Sequence, residues 1–248
     1  MSKNILFVGL DVDDKSFHLC GLKAGAEFDK ETKVSPTTNA LTKKLLDWKR
    51  EFGAEEVRIC YEASYIGFTL QRALAEKGFG CDVVSPSSIP RTRGNSVKTD
   101  RIDARKLASF YSKGLLTFVS VPDKTQEEVR DLLRTRQYVL HQLSELRSHI
   151  QSLLRRNGRH YKEERGCGVH WTRNHLSWLE EVVKKSPGGF GQNLKLLVQQ
   201  MKWLGDTLKE YDVLIDELAE RPEYQRKVKA LTVYKGIKNI WAMTLIAE

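Results

Sequence analysis

A continuous apolar run near the N-terminus constrains the fold more than any other feature. Residues 5–10 read Ile-Leu-Phe-Val-Gly-Leu, without polar alternation, and the run ends at Asp11. Such a run is typical of a central strand that is buried on both faces of a sheet. Segments 16–22 and 27–34 predict two further strands, so the chain begins with a three-stranded meander.

Helices and strands then alternate. Apolar residues at spacings of three and four predict a helix over 40–52, and 57–61 is a short strand that Glu62 closes. A second helix is predicted over about 65–77 and a further strand over 81–84. This order predicts an α/β sheet with the meander at one side.

Charge points to a polyanionic partner. The chain has 41 Lys and Arg against 32 Asp and Glu, a net charge of +9, which favours nucleic acid. No segment approaches the roughly 18 apolar residues of a membrane span, and the N-terminus lacks the pattern of a signal peptide. The four cysteines lack metal-ligand spacing. We therefore expect a cytoplasmic protein with reduced thiols and no membrane partner.

Four acids stand where a metal site could form. Asp11 and Glu62 each end an apolar strand, and the carboxyl ends of strands are where open α/β sheets bind ligands. Asp100 and Asp103 lie three residues apart on one face of a predicted helix. Carboxylates suit Mg²⁺, and two such ions about 3.5–4 Å apart can act on a phosphodiester. Two alternatives stay open: Asp11 as a hairpin turn residue, and the helix acids paired with neighbouring Arg and Lys.

Three segments that contain these acids resemble a known family. Val-Gly-Leu-Asp-Val at 8–12, Tyr-Glu-Ala-Ser at 61–64 and Lys-Thr-Asp-Arg-Ile-Asp-Ala at 98–104 look like the acidic motifs of DEDD-type insertion-sequence transposases, the relatives of the pilin gene invertase. The resemblance implies a ribonuclease H-like, RuvC-like domain. It also implies a catalytic, Mg²⁺-binding tetrad of Asp11, Glu62, Asp100 and Asp103. DNA is the implied partner, together with a structured guide RNA in some members, and the implied location is the bacterial nucleoid.

The second half predicts an α-helical coiled-coil domain. Two heptad seams run over 129–153, with Arg136 as one polar intruder, and over 194–218. The two helices could pair as an antiparallel hairpin or with another chain. Because a recombinase must hold two DNA partners, we expect a homo-oligomer, either a dimer or a tetramer.

Basic and aromatic residues interleave between the two long helices, a mixture that can bind phosphates and stack on bases. The alternative is an ordinary solvated loop with a few core aromatics. Cys167, His170 and His175 do not have the spacing of a usual zinc site. The predicted nucleic-acid contacts, including those beside the helix acids, are Lys98, Arg101, Arg105, Arg155, Arg156, Arg159, Tyr161 and Arg173.

Residues 228–248 resemble the opening of the family's C-terminal domain, although Lys-Gly-Ile-Lys at 235–238 replaces the usual Pro-Gly-Ile-Gly. The family carries a nucleophilic serine in that domain, and no serine of this chain matches its motif. We therefore expect a fragment or truncated element that is incomplete for recombination. The expected division is 1–122 (RuvC-like), 123–227 (helical coiled coil) and 228–248 (start of the C-terminal domain).

Four functions fit the sequence to different degrees. A DNA transposase or site-specific recombinase leads, and a RuvC-like structure-specific endonuclease or a non-catalytic nucleic-acid-bridging protein are the alternatives. An actin-like sugar kinase or ATPase also has a phosphate loop after a strand that ends in Asp. In this chain, however, the acids at 13 and 14 would repel phosphate.

Overall fold

The structure, a computed structural model, describes residues 4–23, 29–89, 100–166 and 168–248, with the backbone alone for 29, 88 and 100–102. The chain divides into two compact units, Met1–Val121 and Pro122–Glu248. The expected three-part division stays a prediction. Apolar residues of 228–247 pack in one cluster with residues from the first helix of the second unit.

The first unit is built on a five-stranded mixed sheet. Its strands are β1 (Ile5–Val12), β2 (Phe17–Lys23), β3 (Asp29–Val34), β4 (Glu56–Glu62) and β5 (Gly80–Val84), in the order β3-β2-β1-β4-β5. The pairs β1–β2 and β2–β3 are antiparallel, and β4 and β5 continue the sheet in parallel. The predicted mixed α/β sheet is confirmed, with β1 at its centre.

Helices cover both faces of this sheet. On one face, α1 (Thr38–Glu51) and α2 (Thr69–Glu76) pack on alternate residues of β1, with Leu41, Leu45 and Trp48 buried. On the other face lies α3 (Asp100–Ser112), whose inner residues form clusters with Phe7 and Cys20. Because helices cover β1 on both sides, both faces of the strand are buried, and this explains its continuous apolar pattern.

The second predicted helix begins later than its apolar pattern suggests. We expected it from about 65, whereas α2 starts at Thr69. Gly67 takes a φ of 59°, in the left-handed region, and Phe68 is also outside helical geometry. A left-handed residue ends the helical hydrogen-bond pattern, and glycine adopts it without steric cost.

The second unit is helical. Its elements are α4 (Lys124–Arg156), α5 (Tyr161–Arg165), α6 (Arg173–Lys185), α7 (Gly189–Ala219), α8 (Pro222–Thr232) and α9 (Asn239–Ala247). Both long helices were expected, but α5 and α6 were not. The side chain of Asp123 caps α4 by accepting a hydrogen bond from the Gln126 N–H at 2.8 Å.

The two long helices lie antiparallel against each other within one chain. The start of α4 shares a cluster with the end of α7, through Val129 and Ile215, and the end of α4 shares one with the start of α7, through Ile150 and Leu194. The polar intruder Arg136 forms an ion pair with Asp212, with 2.7 Å between its Nε and the Asp212 Oδ1. A coiled-coil supercoil stays a prediction. Within the described ranges, no helix is long and apolar enough to cross a membrane.

Candidate functional site

The position of α3 depends on Gly9. A Cβ atom at this residue would lie 2.3 Å from the Ala104 carbonyl oxygen and 2.5 Å from the Ala108 nitrogen, both backbone atoms of α3. Contacts this short do not occur, so only glycine lets the helix approach the strand this closely. The close approach places Ala104 and Ala108 of α3 directly against β1, with Asp103 next to Ala104 in the helix.

The helix runs antiparallel to β1. Phe7 packs edge-on against Tyr111 at 5.3 Å, whereas Gly9 faces Ala104 and Ala108, one turn or more earlier in the helix. Successive residues of a strand point to opposite faces, so Asp11 points to the same face of the sheet as Phe7 and Gly9. From Gly9 to Asp11 the strand advances about 6.6 Å. One helical turn back from Ala104 covers about 5.4 Å and reaches Asp100.

Asp11 and Glu62 lie at the same level of neighbouring strands. The parallel register pairs Leu10 with Tyr61, and Asp11 and Glu62 are the next residues of β1 and β4. Cys60 faces α3, since its thiol lies 3.9 Å from the Leu107 carbonyl oxygen. Glu62, two residues further, therefore points to the α3 face as well. Two carboxylates thus share one face and one edge of the sheet.

Helix α3 brings the third described acid to this end. The Asp103 side chain is partly buried, and its carboxylate lies 3.9 Å from the Lys106 ammonium, at the outer limit of an ion pair. The expected pairing of helix acids with neighbouring bases is therefore weak for Asp103. The side chain of Asp100 lies outside the described residues, although its backbone begins α3.

The donor chemistry of this edge fits a hard divalent cation, because Asp11, Glu62 and Asp103 all offer carboxylate oxygens. Within the described residues, which omit the Asp100 side chain, no group of three or more His, Cys, Asp or Glu side chains is arranged to hold a metal ion. The catalytic and metal-binding roles of the four acids stay predictions.

Asp11 is a strand residue rather than a turn residue. It pairs with His18 in the antiparallel register of β1 and β2. The hairpin turn is made by Asp13, whose side chain accepts the Lys15 N–H at 2.9 Å and whose carbonyl accepts the Ser16 N–H at 3.3 Å. This resolves the alternative in which Asp11 served the turn.

His18 is a neighbour of Asp11 that the sequence analysis missed. It lies beside Asp11 on the α3 face, because Cys20, two residues on, packs against Ala104 and Ala108. Only the strand register reveals this neighbour, since the two residues stand on opposite sides of a hairpin. A cavity of about 180 Å³ opens there, lined by His18, Leu19, Glu31, Thr32 and Ala104.

The predicted nucleic-acid contacts of the first unit are only partly described. Lys98 lies outside the described residues, and so does the side chain of Arg101. Arg105 forms an ion pair with Glu31 at 2.7 Å, which ties α3 to β3. Arg105 would have to leave this carboxylate before it could contact a phosphate.

The predicted contacts of the second unit separate into exposed and engaged residues. Arg155, Arg156 and Arg173 are exposed. Arg159 forms a two-pronged pair with Glu164, with distances of 2.7 and 2.8 Å, and Tyr161 is only 5% exposed. Neither the guanidinium of Arg159 nor the ring of Tyr161 is presented to a nucleic acid in this structure.

The Arg159–Glu164 pair also positions α6. Glu164 accepts a hydrogen bond from the indole N–H of Trp178 at 2.9 Å. The bond from Arg159, and then that from Trp178, lower the pKa of Glu164 to about 2 against the cost of its partial desolvation. The charged carboxylate therefore anchors a buried tryptophan.

Aromatic rings and histidines converge between α4 and α6. His175 is fully buried, and its ring lies 4.7 Å from that of Tyr161 and 4.9 Å from that of Trp171. Burial, and secondly the neighbouring His170, lower its pKa to about 4, so the ring is neutral near pH 7. Its Nδ1 accepts the Trp171 N–H at 3.2 Å. His175 is a core residue that supports the segment before α6.

Cys60 is buried on the α3 face of the sheet, and Cys81 is buried on the opposite face. Burial, which penalises a thiolate, raises the pKa of both thiols well above the usual range. Cys167 lies outside the described residues. No zinc site is predicted, and the engaged Nδ1 of His175 agrees with a structural role for that residue.

Comparisons with known proteins agree on one family. The family model for DEDD transposases of the IS110 type, described as "Transposase", matches residues 8–157. The transposase of insertion element IS1533 from Leptospira borgpetersenii is 29% identical over 99% of this chain and 70% of its own length. The y4qE protein of Sinorhizobium fredii, which carries the name of a transposase, is 34% identical over 78% of this chain and 45% of its own length.

A solved structure of RuvC from T. thermophilus in complex with a Holliday junction substrate also aligns with part of the chain. It shares 13% identity and covers 46% of this chain and 99% of its own, at a TM-score of 0.31. The fold of this chain is therefore described by its own strand order, β3-β2-β1-β4-β5. The family model alone covers more than half of the sequence, and the chain belongs to the IS110-type DEDD transposase family.

Proposed function

We propose that this chain is the metal-binding and phosphate-positioning part of a DNA transposase or site-specific recombinase. One observation carries the proposal: Asp11 and Glu62 lie level on adjacent parallel strands, on the face that α3 covers. Asp103 lies near the start of α3, next to Ala104, which faces Gly9. A phosphodiester-cleaving metal site needs several carboxylates at one place, and in the proposal Asp100 completes the set that Asp11, Glu62 and Asp103 begin.

The proposed fold is ribonuclease H-like, as in RuvC. In support, an antiparallel meander is followed by two strands parallel to β1, with helices on both faces. Asp11, Glu62, Asp100 and Asp103 would hold Mg²⁺, which would supply an activated water or hydroxyl and stabilise the leaving oxygen. The acids would set the position of the phosphate, and α3 would close that side of the site.

The kinase or ATPase alternative receives no support from the turn after β1. A phosphate loop presents unpaired backbone N–H groups to its ligand. Here the N–H groups of Lys15 and Ser16 both donate to Asp13. A RuvC-like structure-specific endonuclease and a nucleic-acid-bridging protein remain the alternatives that the experiments below separate.

The proposed partners are DNA and a structured guide RNA. The net charge of +9 and the exposed Arg155, Arg156 and Arg173 support a polyanion as partner. A homo-oligomer, dimer or tetramer, remains part of the proposal. The chain spans less than half of one curated relative and about two thirds of another, so recombination by the whole protein is itself proposed.

The test replaces single acids by their amides. Asp11→Asn, Glu62→Gln and Asp103→Asn keep the shape of the side chain and remove its charge. We expect Mg²⁺ or Mn²⁺ affinity, measured by calorimetry, to fall by more than about tenfold, which is the loss found even for groups that only orient a ligand. Cleavage of branched and duplex DNA should fall with it.

The matched control is Asp47→Asn. Asp47 is a carboxylate of α1, on the opposite face of the sheet, and it pairs with Arg50 on the surface. This variant should bind metal and cleave as the wild type does. Unchanged metal affinity in all three site variants would refute the tetrad. Metal-dependent cutting of junctions without any strand transfer would favour the endonuclease.

A further inference from the structure

The guanidinium of Arg147 has no hydrogen-bond partner at Nε among the described residues. The residue lies on α4 and is partly buried, and its Nε–H is buried. No described carboxylate lies within ion-pair distance of its guanidinium. Burial lowers its pKa, because a charged group loses favourable hydration there. Arginines in such places are normally paired, so the missing anion calls for an explanation.

The guanidinium of Arg147 lies over the ring of Trp171. The Arg147 Cζ atom lies 5.3 Å from the centroid of the Trp171 ring, in cation–π geometry. Trp171 remains partly exposed, and α4 presents Gln151 and exposed Arg155 on the stripe that contains Arg147. The pair therefore places a cation and an aromatic ring side by side at the edge of a basic helix face.

The backbone at Trp171 is strained. Trp171 has a φ of 66°, the one non-glycine residue with positive φ among the described residues, and a bulky side chain disfavours that conformation. The N–H bond from Trp171 to the buried His175 holds it there. Strain of this kind concentrates at binding and catalytic sites.

We propose that Arg147 and Trp171 form a binding site for an unpaired nucleotide of single-stranded nucleic acid. The guanidinium donates to the phosphate, which it matches in charge and in its forked geometry. The base stacks on the pair, as bases do on aromatic and guanidinium planes. The sequence analysis predicted Tyr161 as a nucleic-acid contact of this segment, but Tyr161 is buried. In the proposed site, Trp171 and Arg147 provide the stacking surface instead. It shares only the class of partner with the proposed function and needs neither metal nor the acidic site.

The probes are octamers of uridine and of deoxythymidine, an abasic octamer and a short duplex, titrated against the full chain in EDTA. Fluorescence anisotropy gives the affinity, and tryptophan emission reports stacking. We expect the base-bearing single strands to quench emission and to bind more tightly than the abasic strand. The RNA and DNA arms identify the sugar that the site prefers.

Trp171→Asn removes the ring, and asparagine tolerates the left-handed backbone. It should weaken binding of base-bearing strands by roughly 5- to 150-fold, the range for one stacked base, and leave abasic binding unchanged. Arg147→Met should weaken binding of all single strands and reduce the salt dependence by about 0.7 in the log–log slope, the contribution of one phosphate. Arg147→Lys keeps the positive charge but loses the planar guanidinium. It should retain the salt dependence of the wild type and bind single strands with a lower affinity.

Trp203→Asn and Arg226→Met are the matched controls, since both residues are exposed in the same unit and lie outside the aromatic cluster. Because EDTA removes divalent metal from every titration, failure of the acidic metal site is distinguishable from failure of this one. Circular dichroism confirms folding. Wild-type affinity in both Trp171→Asn and Arg147→Met would overturn the proposal. Equal losses of Trp171→Asn on abasic, duplex and base-bearing probes, or no quenching in the wild-type protein, would overturn it too.

Discussion

Replacing Gly9 by alanine would place a methyl group between β1 and α3. The new Cβ would lie 2.3 Å from the Ala104 carbonyl oxygen, 2.5 Å from the Ala108 nitrogen and 2.9 Å from the Leu107 Cβ. The first two are backbone atoms, so no rotamer change can relieve the contact. The helix would have to move by about 1 Å to restore ordinary van der Waals separation.

Such a shift would loosen the packing of Leu107, Ala108 and Tyr111, which are all buried against the sheet. Overpacking costs about 1–3 kcal/mol, and the backbone origin of the clash favours the upper end. For a unit of this size, about 3 kcal/mol lowers the thermal midpoint by roughly 10 °C. The same displacement would move Asp103 away from Asp11, and a shift of about 1 Å can cost about 100-fold in rate.

Gly80→Ala is the control, because Gly80 begins β5 and an added Cβ there meets nothing within 4 Å. Thermal and urea unfolding, followed by circular dichroism, should leave Gly80→Ala within about 0.5 kcal/mol of the wild type. Metal affinity should fall in Gly9→Ala alone. If Gly9→Ala unfolds with the wild-type free energy and retains its metal affinity, the close contact of β1 with α3 is wrong.

The second unit supplies two further predictions. The pKa of His175 is lowered to about 4 in the folded protein from 6.5 unfolded, so the unfolding free energy should fall as pH decreases from 6.5 to 4, by at most about 3 kcal/mol. His175→Phe should remove this pH dependence in urea titrations at pH 4, 5.5 and 7, and an unaltered profile would contradict it. Asp212→Ala should cost about 1–2 kcal/mol by leaving the partly buried Arg136 unpaired. Leucine at both positions should restore near-wild-type stability, and an equally unstable double variant would refute this explanation.

Local patterns in the sequence were enough to locate the strands of the first unit and both long helices of the second. Apolar runs of strand length and helical spacings of three and four residues are local features of the sequence, and they can be recognised whatever the chain packs against. Helix α6 was missed, although His175, Trp178, Leu179 and Val182 form a buried helical face. Its basic and aromatic composition was interpreted either as a nucleic-acid-binding segment or as a solvated loop with a few core aromatics, and neither interpretation included a helix.

The sequence by itself placed Asp11 and Glu62 at strand ends, because an apolar run that stops at an acid is a local feature. Tertiary structure decided that both point to the α3 face, that Gly9 admits the helix, and that His18 lies beside Asp11. It also decided that Tyr161 is buried while the guanidinium of Arg147 lies over Trp171. These relations join residues far apart in the chain, and their distances depend on register and packing, which no local period encodes.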